Sequence, residues 1–360
     1  MKIEEAKLKI ETKMKGLVEA DPHIKNAYLL VHSDNRKIHW NMAYGQTGNF
    51  KSTPEQPYHT ASIAKSFTSI LIAILEREGK VRYDDPISKY LPESIVKDLH
   101  LFKGTDYSNE IRVEHLVSNR SGLPDFYEDK PKEGPTFQDM LLNEPDKAWT
   151  PHETIQWSKE KLTPKFVPGK KVHYTNTGFN LLGLIIEKVT TKAYHEVLHE
   201  YIFNPLKMKE SYLLSYSKPA YRSDHPIATV NLKSQDILVE EHRSLMSNFA
   251  GGQTASTSED LLIFMKALVN NQLIPQNSLD KMMDWKKLWV GVDYGYGLMR
   301  VRMFPKKYNV WGHLGSIGSF MLYNPTLDVY IIGNFNKSGY LTKSMRFIYN
   351  ILQTIDKIKE

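Results

Sequence analysis

Apolar and polar positions alternate in two ways along this chain, and the two kinds are segregated. Residues 4–17 carry apolar side chains at helical spacing and predict a short amphipathic helix. Residues 25–32 and 37–45 alternate with period two across Ser33, Asp34, Asn35 and Arg36, which predicts an antiparallel hairpin. From Ser62 the pattern turns helical, with Ile63, Phe67, Ile70, Leu71 and Ile74 on one side and Gly79 as the stop. Helices are then predicted at 111–118, 137–143, 151–160, 178–190, 192–203, 257–270 and 278–285. Strand-like patterns return at 296–303, 308–314, 317–323 and 328–335, and an amphipathic helix at 339–357 closes the chain.

Strands near both ends with helices between them imply an α/β (α+β) fold. One antiparallel sheet is built from both termini and flanked by helices, and a mostly helical domain is inserted into it. The expected division is residues 1–82 plus 290–360 for the discontinuous sheet domain and 83–289 for the helical domain. The seam between them is the natural place for a cleft. A length of 360 residues allows this much core.

Composition removes several function classes. The formal net charge is +6, but 41 acidic residues are interspersed with the 47 lysines and arginines, so no basic stripe argues for nucleic acid. The longest apolar run, Ile70 to Leu75, is too short to span a bilayer, and the first sixteen residues lack the apolar stretch of a signal peptide. The chain as given therefore reads as soluble, with the compartment open because a leader could have been removed. The absence of cysteine excludes disulfides, thiolate nucleophiles and cysteine-bound metal.

A serine hydroxyl needs a neighbouring base and a group that stabilises the oxyanion before it can attack a carbonyl. Ser62 and Lys65, at i and i+3, share one helix face, and an apolar helix would desolvate the Lys65 amine and lower its pKa. The spacing alone is unspecific, because Ser158/Lys161, Ser215/Lys218 and Ser278/Lys281 repeat it. What sets Ser62 apart is its place at the head of an apolar helix.

HTASIAKSFTSILIAILEREGKVRYDDPISKYLPE, at 59–93, resembles the signature of the serine β-lactamase-like family, which includes class C β-lactamases, D-Ala-D-Ala peptidases, D-aminopeptidases and family VIII carboxylesterases. EHLVSNRSGLPDF (114–126) is similar to the family's next stretch through Ser121-Gly122-Leu123-Pro124, although Asn119 and Arg120 replace a usual His-Thr pair. VPGKKVHYTNTGFNLLGLIIEKVT (167–190) resembles the second motif with Tyr174 and Asn176. WGHLGSIGSF (311–320) resembles the third, with His313-Leu314-Gly315. FNPLKMKES and AGGQTASTSEDLLIF match two further stretches. Tyr107-Ser108-Asn109 repeats the second motif without its frame and is assigned to a loop.

The resemblance implies Ser62 as nucleophile, activated by Lys65 and Tyr174, the phenol being lowered by cationic neighbours. Asn176 would offer its amide to Lys65 and to the substrate. The strand end at His313 and Gly315 would receive the substrate backbone, and the backbone N–H groups of Ser62 and Ser316 would hold the oxyanion. The expected reaction is acyl transfer from an amide or ester of a small-molecule or peptide substrate, with no metal and no organic cofactor. The preferred donor, whether D-amino-acid peptide, ester or β-lactam, and the oligomeric state are left open. Phe126, Tyr127, Trp149, Tyr212 and Tyr216 could line the cleft or merely pack it. Two other readings remain: a non-catalytic peptidoglycan or β-lactam sensor, and a zinc protease at the His195-Glu196-Val197-Leu198-His199 pattern.

Overall fold

The computed structural model describes residues 1–358. Helix α1 (Ile3–Glu19) leads into the hairpin β1 (Asn26–Ser33) and β2 (Ile38–Thr47), followed by the short β3 (Phe50–Lys51). Two long helices of the middle region are α2 (Ala64–Arg77) and α3 (Asn176–Thr190), and α4 (Ser258–Val269) precedes the return to strands. These are β4 (Lys286–Trp289), β5 (Val292–Tyr294), β6 (Met299–Val301), β7 (Val310–Leu314), β8 (Phe320–Asn324) and β9 (Val329–Asn334), before the last helix α5 (Leu341–Ile355).

Among the described residues these strands form one nine-stranded sheet in the order β4-β5-β6-β7-β8-β9-β1-β2-β3. Every neighbouring pair is antiparallel, and β1 lies between β9 and β2 with Tyr28 opposite both Asn334 and Ala43. The expected antiparallel α/β sheet drawn from both ends of the chain is thus the observed one. Its inner strands are covered on both faces. Ala27, Leu29 and Val31 pack with Ile10 and Met14 of α1 and Phe347 and Ile351 of α5, while Tyr28 and Leu30 pack with α2 and α4 side chains such as Phe67 and Phe264. The period-two alternation of β1 therefore separates two cores rather than a core from solvent.

Four elements differ from the sequence reading. Strands β4 and β5 were not anticipated, because Lys286 and Lys287 are exposed on a short edge strand that shows no apolar alternation. The run expected at 296–303 shrinks to Met299–Val301, since Gly297 takes a φ of +69°. The expected helix at 192–203 begins at Tyr194 and becomes a π-turn from His199 to Phe203.

Helix α2 is buried at every position from Ala64 to Leu75, and α3 at every position from Asn176 to Ile186. Both are core helices rather than surface amphipathic ones. Each buried Leu, Ile or Phe stabilises them by about 1.5–3 kcal/mol. That excess anchors the few polar groups the same helices hold away from water.

Candidate active site

Ser62 lies in a single 3₁₀ turn, Ala61–Ile63, that runs directly into α2, so the helix proper starts two residues after it. The turn is held from outside: the Thr60 N–H donates to Thr254 O at 2.9 Å, and the Thr60 and Thr254 hydroxyls lie 2.6 Å apart. Ala61 is forced to a φ of +49°, a strained value for a residue with a Cβ. The end of β7 closes over this turn at Gly315. A Cβ there would stand 2.1 Å from Ser319 Oγ and 3.2 Å from Ala61 Cβ, so only glycine permits the approach. Ser62, Tyr174, Asn176, Gly315 and Ser316 consequently line one cleft of about 460 Å³.

Lys65, one turn into α2, is fully buried. Its Nζ donates to Asn176 Oδ1 at 2.5 Å and Gly251 O at 2.5 Å, and reaches Ser62 Oγ at 3.4 Å. The same nitrogen sits 4.9 Å from the Tyr174 ring centre and 5.3 Å from that of Phe179. Burial lowers its pKa to about 7, against the pull of Asp125 and Glu128. Asn176 is the first residue of α3 and is turned inward. Its backbone N–H and Nδ2 both donate to Asp125, at 2.8 Å and 3.1 Å. The amide that was expected to serve the substrate is therefore committed to Asp125, and its oxygen to Lys65.

Tyr174 departs from the expectation for its phenol. Burial, reinforced by Asp125 and Glu128, raises its pKa above the ordinary value, although the nearby Ser62 hydroxyl works the other way. The single ammonium beside it does not offset removal from water, so the group stays a neutral phenol. His313 also differs. It is fully buried with its ring facing Tyr174 and Tyr294, at centroid distances of 6.3 Å and 6.1 Å, and is absent from the described residues that line the cleft. Its Nδ1–H donates to Leu314 O at 2.8 Å, and burial followed by the charge of Lys65 lowers its pKa to about 3. It stands as a neutral ring behind Tyr174, outside the residues that line the cleft.

Several site residues carried no sequence signal of their own. Asn119 brackets Tyr174: its carbonyl accepts from the His173 N–H at 2.9 Å and its Oδ1 from the Thr175 N–H at 3.1 Å. It does so at a φ of +55°, where asparagine is better tolerated than most residues. Its position had stood out only as a departure from His-Thr. Asp125 immediately follows the recognised Ser121–Pro124 stretch. Tyr294, on the unanticipated β5, stacks edge-on against Tyr174 at 5.7 Å.

The wall of the cleft is acidic. Asp125, Glu128 and Asp129 line it, and no lysine or arginine does so among the described residues. Asp129 is already paired with His173 and Lys165, both at 3.0 Å, which hold its carboxyl down at about 2 against the effect of burial. Glu128 forms no ion pair among the described residues. Although the residue as a whole is exposed, partial desolvation of its carboxyl against the cleft wall, followed by the Asp125 charge, raises its pKa. Of the aromatic candidates only Tyr127 reaches the cleft. Phe126 and Trp149 pack with Phe137, while Tyr212 and Tyr216 lie in other cores.

The remaining motifs fall elsewhere. His199 Nε2 is 3.2 Å from Ser217 Oγ, and Glu196 caps its own helix through the Ala193 N–H at 2.8 Å. No group of three or more potential metal ligands occurs among the described residues. Tyr107 precedes a 3₁₀ turn, Ser108–Glu110, and none of Tyr107, Ser108 and Asn109 lines the cleft. No helix among the described residues is long and apolar enough to cross a membrane.

A nine-stranded sheet with a serine and a buried lysine at the head of a core helix is the architecture of the hydrolases of the β-lactamase fold. The Beta-lactamase family model matches residues 10–353, and the chain belongs to that family. Protein flp of Staphylococcus aureus (strain MW2) is 26% identical over 252 residues, covering 69% of this chain and 46% of the relative. Penicillin-binding protein 4* of Bacillus subtilis (strain 168) is 26% identical over 277 residues, covering 72% and 55%. The chain spans about half the length of these curated relatives. A D-stereospecific amidohydrolase from Streptomyces sp. superposes with a TM-score of 0.77 at 26% identity, over 94% of this chain and 97% of that one.

Proposed function

We propose that this protein is a serine hydrolase that forms an acyl-enzyme on Ser62, using an amide or ester donor that carries an ammonium rather than a carboxylate beside the scissile bond. The observation that carries the reaction type is the buried Lys65 amine, with a pKa near 7, 3.4 Å from the Ser62 hydroxyl. Near neutral pH a substantial fraction of it is uncharged and able to accept the Ser62 proton as Oγ bonds to the carbonyl carbon. Tyr174, a neutral phenol, passes a proton to the leaving nitrogen or oxygen as that bond breaks, and is refilled from Lys65. The backbone N–H groups of Ser62 and Ser316 receive the oxyanion. Water then attacks the ester carbonyl and gives a proton to the Lys65–Tyr174 pair, which passes it to Ser62 Oγ as the ester bond breaks, releasing the acid and restoring the starting state.

The donor class rests on charge. A cleft with three carboxylates and no lysine or arginine in its described lining repels the carboxylate of a β-lactam or of a C-terminal D-alanine. Glu128, which forms no ion pair among the described residues, suits the ammonium of an unblocked amino acid. The D-stereospecific amidohydrolase likeness agrees with a D-aminoacyl amide. The test is a panel of free-amine D-aminoacyl anilides, their N-acetyl counterparts, a D-Ala-D-Ala peptide and a cephalosporin, run with wild type and Ser62→Ala. Free-amine donors should exceed their acetylated forms at least tenfold, and Ser62→Ala should turn over none of them. Preference for the carboxylate-bearing donors would overturn the donor class, and full activity of Ser62→Ala the reaction type.

A further inference from the structure

Beside the cleft lies a second cavity of about 240 Å³, and the two share Tyr127, Glu128, Leu232, Leu245 and Ser316 in their walls. They therefore meet at the residue that follows Gly315, next to the Ser62 turn. The floor of this second lobe is apolar, built from Leu141, Leu142, Leu232 and Leu245. Its polar rim is already engaged: Lys233 Nζ is held by Asp139 at 2.7 Å, His242 Nδ1 faces Leu238 O at 3.3 Å, and Ser244 Oγ donates to Leu141 O at 3.0 Å. Little in the lobe remains to greet a charge, and Glu128 at the junction excludes an anion.

We propose that this second lobe is the side-chain subsite for the acyl residue and takes an uncharged, bulky apolar group, aliphatic or aromatic. The inference rests on the acyl-enzyme reading above and adds to it the identity of the residue transferred. With the carbonyl at Ser62 and Ser316 and the ammonium on Glu128, the α-carbon sits at the junction, and the side chain enters the lobe that opens there. The larger cleft, past Tyr174 and Trp289, is left for the leaving group. A cavity of about 150 Å³ already admits benzene, so this lobe has room for an isobutyl or benzyl group. Three fixed points on one α-carbon also discriminate its hand, because inversion exchanges the lobe with the hydrogen position.

The experiment compares kcat/KM for free-amine aminoacyl anilides bearing glycine, alanine, leucine and phenylalanine side chains, each in both hands. It uses wild type, Leu142→Trp, which fills the lobe, and Ser62→Ala. The rate should climb at least tenfold from alanine to phenylalanine or leucine in one hand only, as one to three methylenes in an apolar pocket allow. Leu142→Trp should remove that gain, so that its leucine and phenylalanine donors fall to the rate of its own alanine donor. A flat series, or a preference for large side chains that survives Leu142→Trp, would overturn the subsite while Ser62→Ala still showed the hydrolase reading intact.

Discussion

Two helices of this protein carry the same Ser-x-x-Lys spacing and put it to different use. At the head of α2, Ser62 faces the cleft from the preceding 3₁₀ turn and Lys65 is fully buried, surrounded by Asn176, Gly251 and the faces of Tyr174 and Phe179. In the helix Pro151–Lys161, Ser158 is buried, while Lys161 reaches into solvent with 40% of its side chain exposed and Glu133 3.8 Å away. The spacing is the same, but only the first lysine has been taken out of water. A general base near neutral pH is made by desolvation, and desolvation comes from what packs around a helix.

The largest effect that tests this contrast is removal of the two amines. Lys65→Met should lower kcat/KM by at least about a thousandfold, and Lys65→Arg should fail to restore it because a guanidinium does not give up its proton. Lys161→Met should leave activity unchanged. Comparable losses in both helices would remove the distinction. The pH profile sharpens it next. Activity requires the uncharged amine, and burial brings its pKa down to about 7, so kcat/KM should fall as pH drops below that value. The same shift makes the native state bind fewer protons than the unfolded chain between about 7 and the ordinary lysine value of 10.5, so this group's contribution to stability rises with pH across that window. A rate flat between pH 5 and 8 would assign the base elsewhere.

A smaller effect is expected at Asn119. Asn119→Ala removes the side-chain bond to the Thr175 N–H and places alanine at a positive φ, so turnover should fall about ten- to a hundredfold with a stability loss of about 1–3 kcal/mol. If Asn119 positions Tyr174, kcat should change more than KM in protein that is still folded at the assay temperature. An unchanged kcat would leave Asn119 a structural residue only. The smallest effect belongs to the zinc pattern: replacing His195 and His199 by alanine should leave activity intact, and purified protein should carry no stoichiometric zinc. Loss of activity together with a bound metal would reopen that reading.

Much of the fold was legible because periodicity reports burial. The alternation of residues 25–32 and the apolar stripe after Ser62 each correspond to an element found in place. β4 escaped because an edge strand starting with two exposed lysines buries too little to leave a pattern. Of the candidate site, Ser62, Lys65, Tyr174 and Asn176 stood in recognisable motifs and are brought together. Glu128 and Asn119 were not singled out as functional, since a carboxylate in a loop and an asparagine in a turn look alike wherever they occur.

The order of elements, the strand alternation of β1 and the candidate nucleophile with its neighbouring amine are written in the chain itself, since each depends on residues a few positions apart. The state of that amine is not. Asn176 and Gly251, which receive the Lys65 hydrogen bonds, lie 111 and 186 residues away in sequence. Only their convergence on α2 excludes water and lowers the lysine, and the same exclusion raises Tyr174 and silences His313. Charge stabilisation is a property of the surrounding medium, and inside a protein that medium is assembled from distant segments.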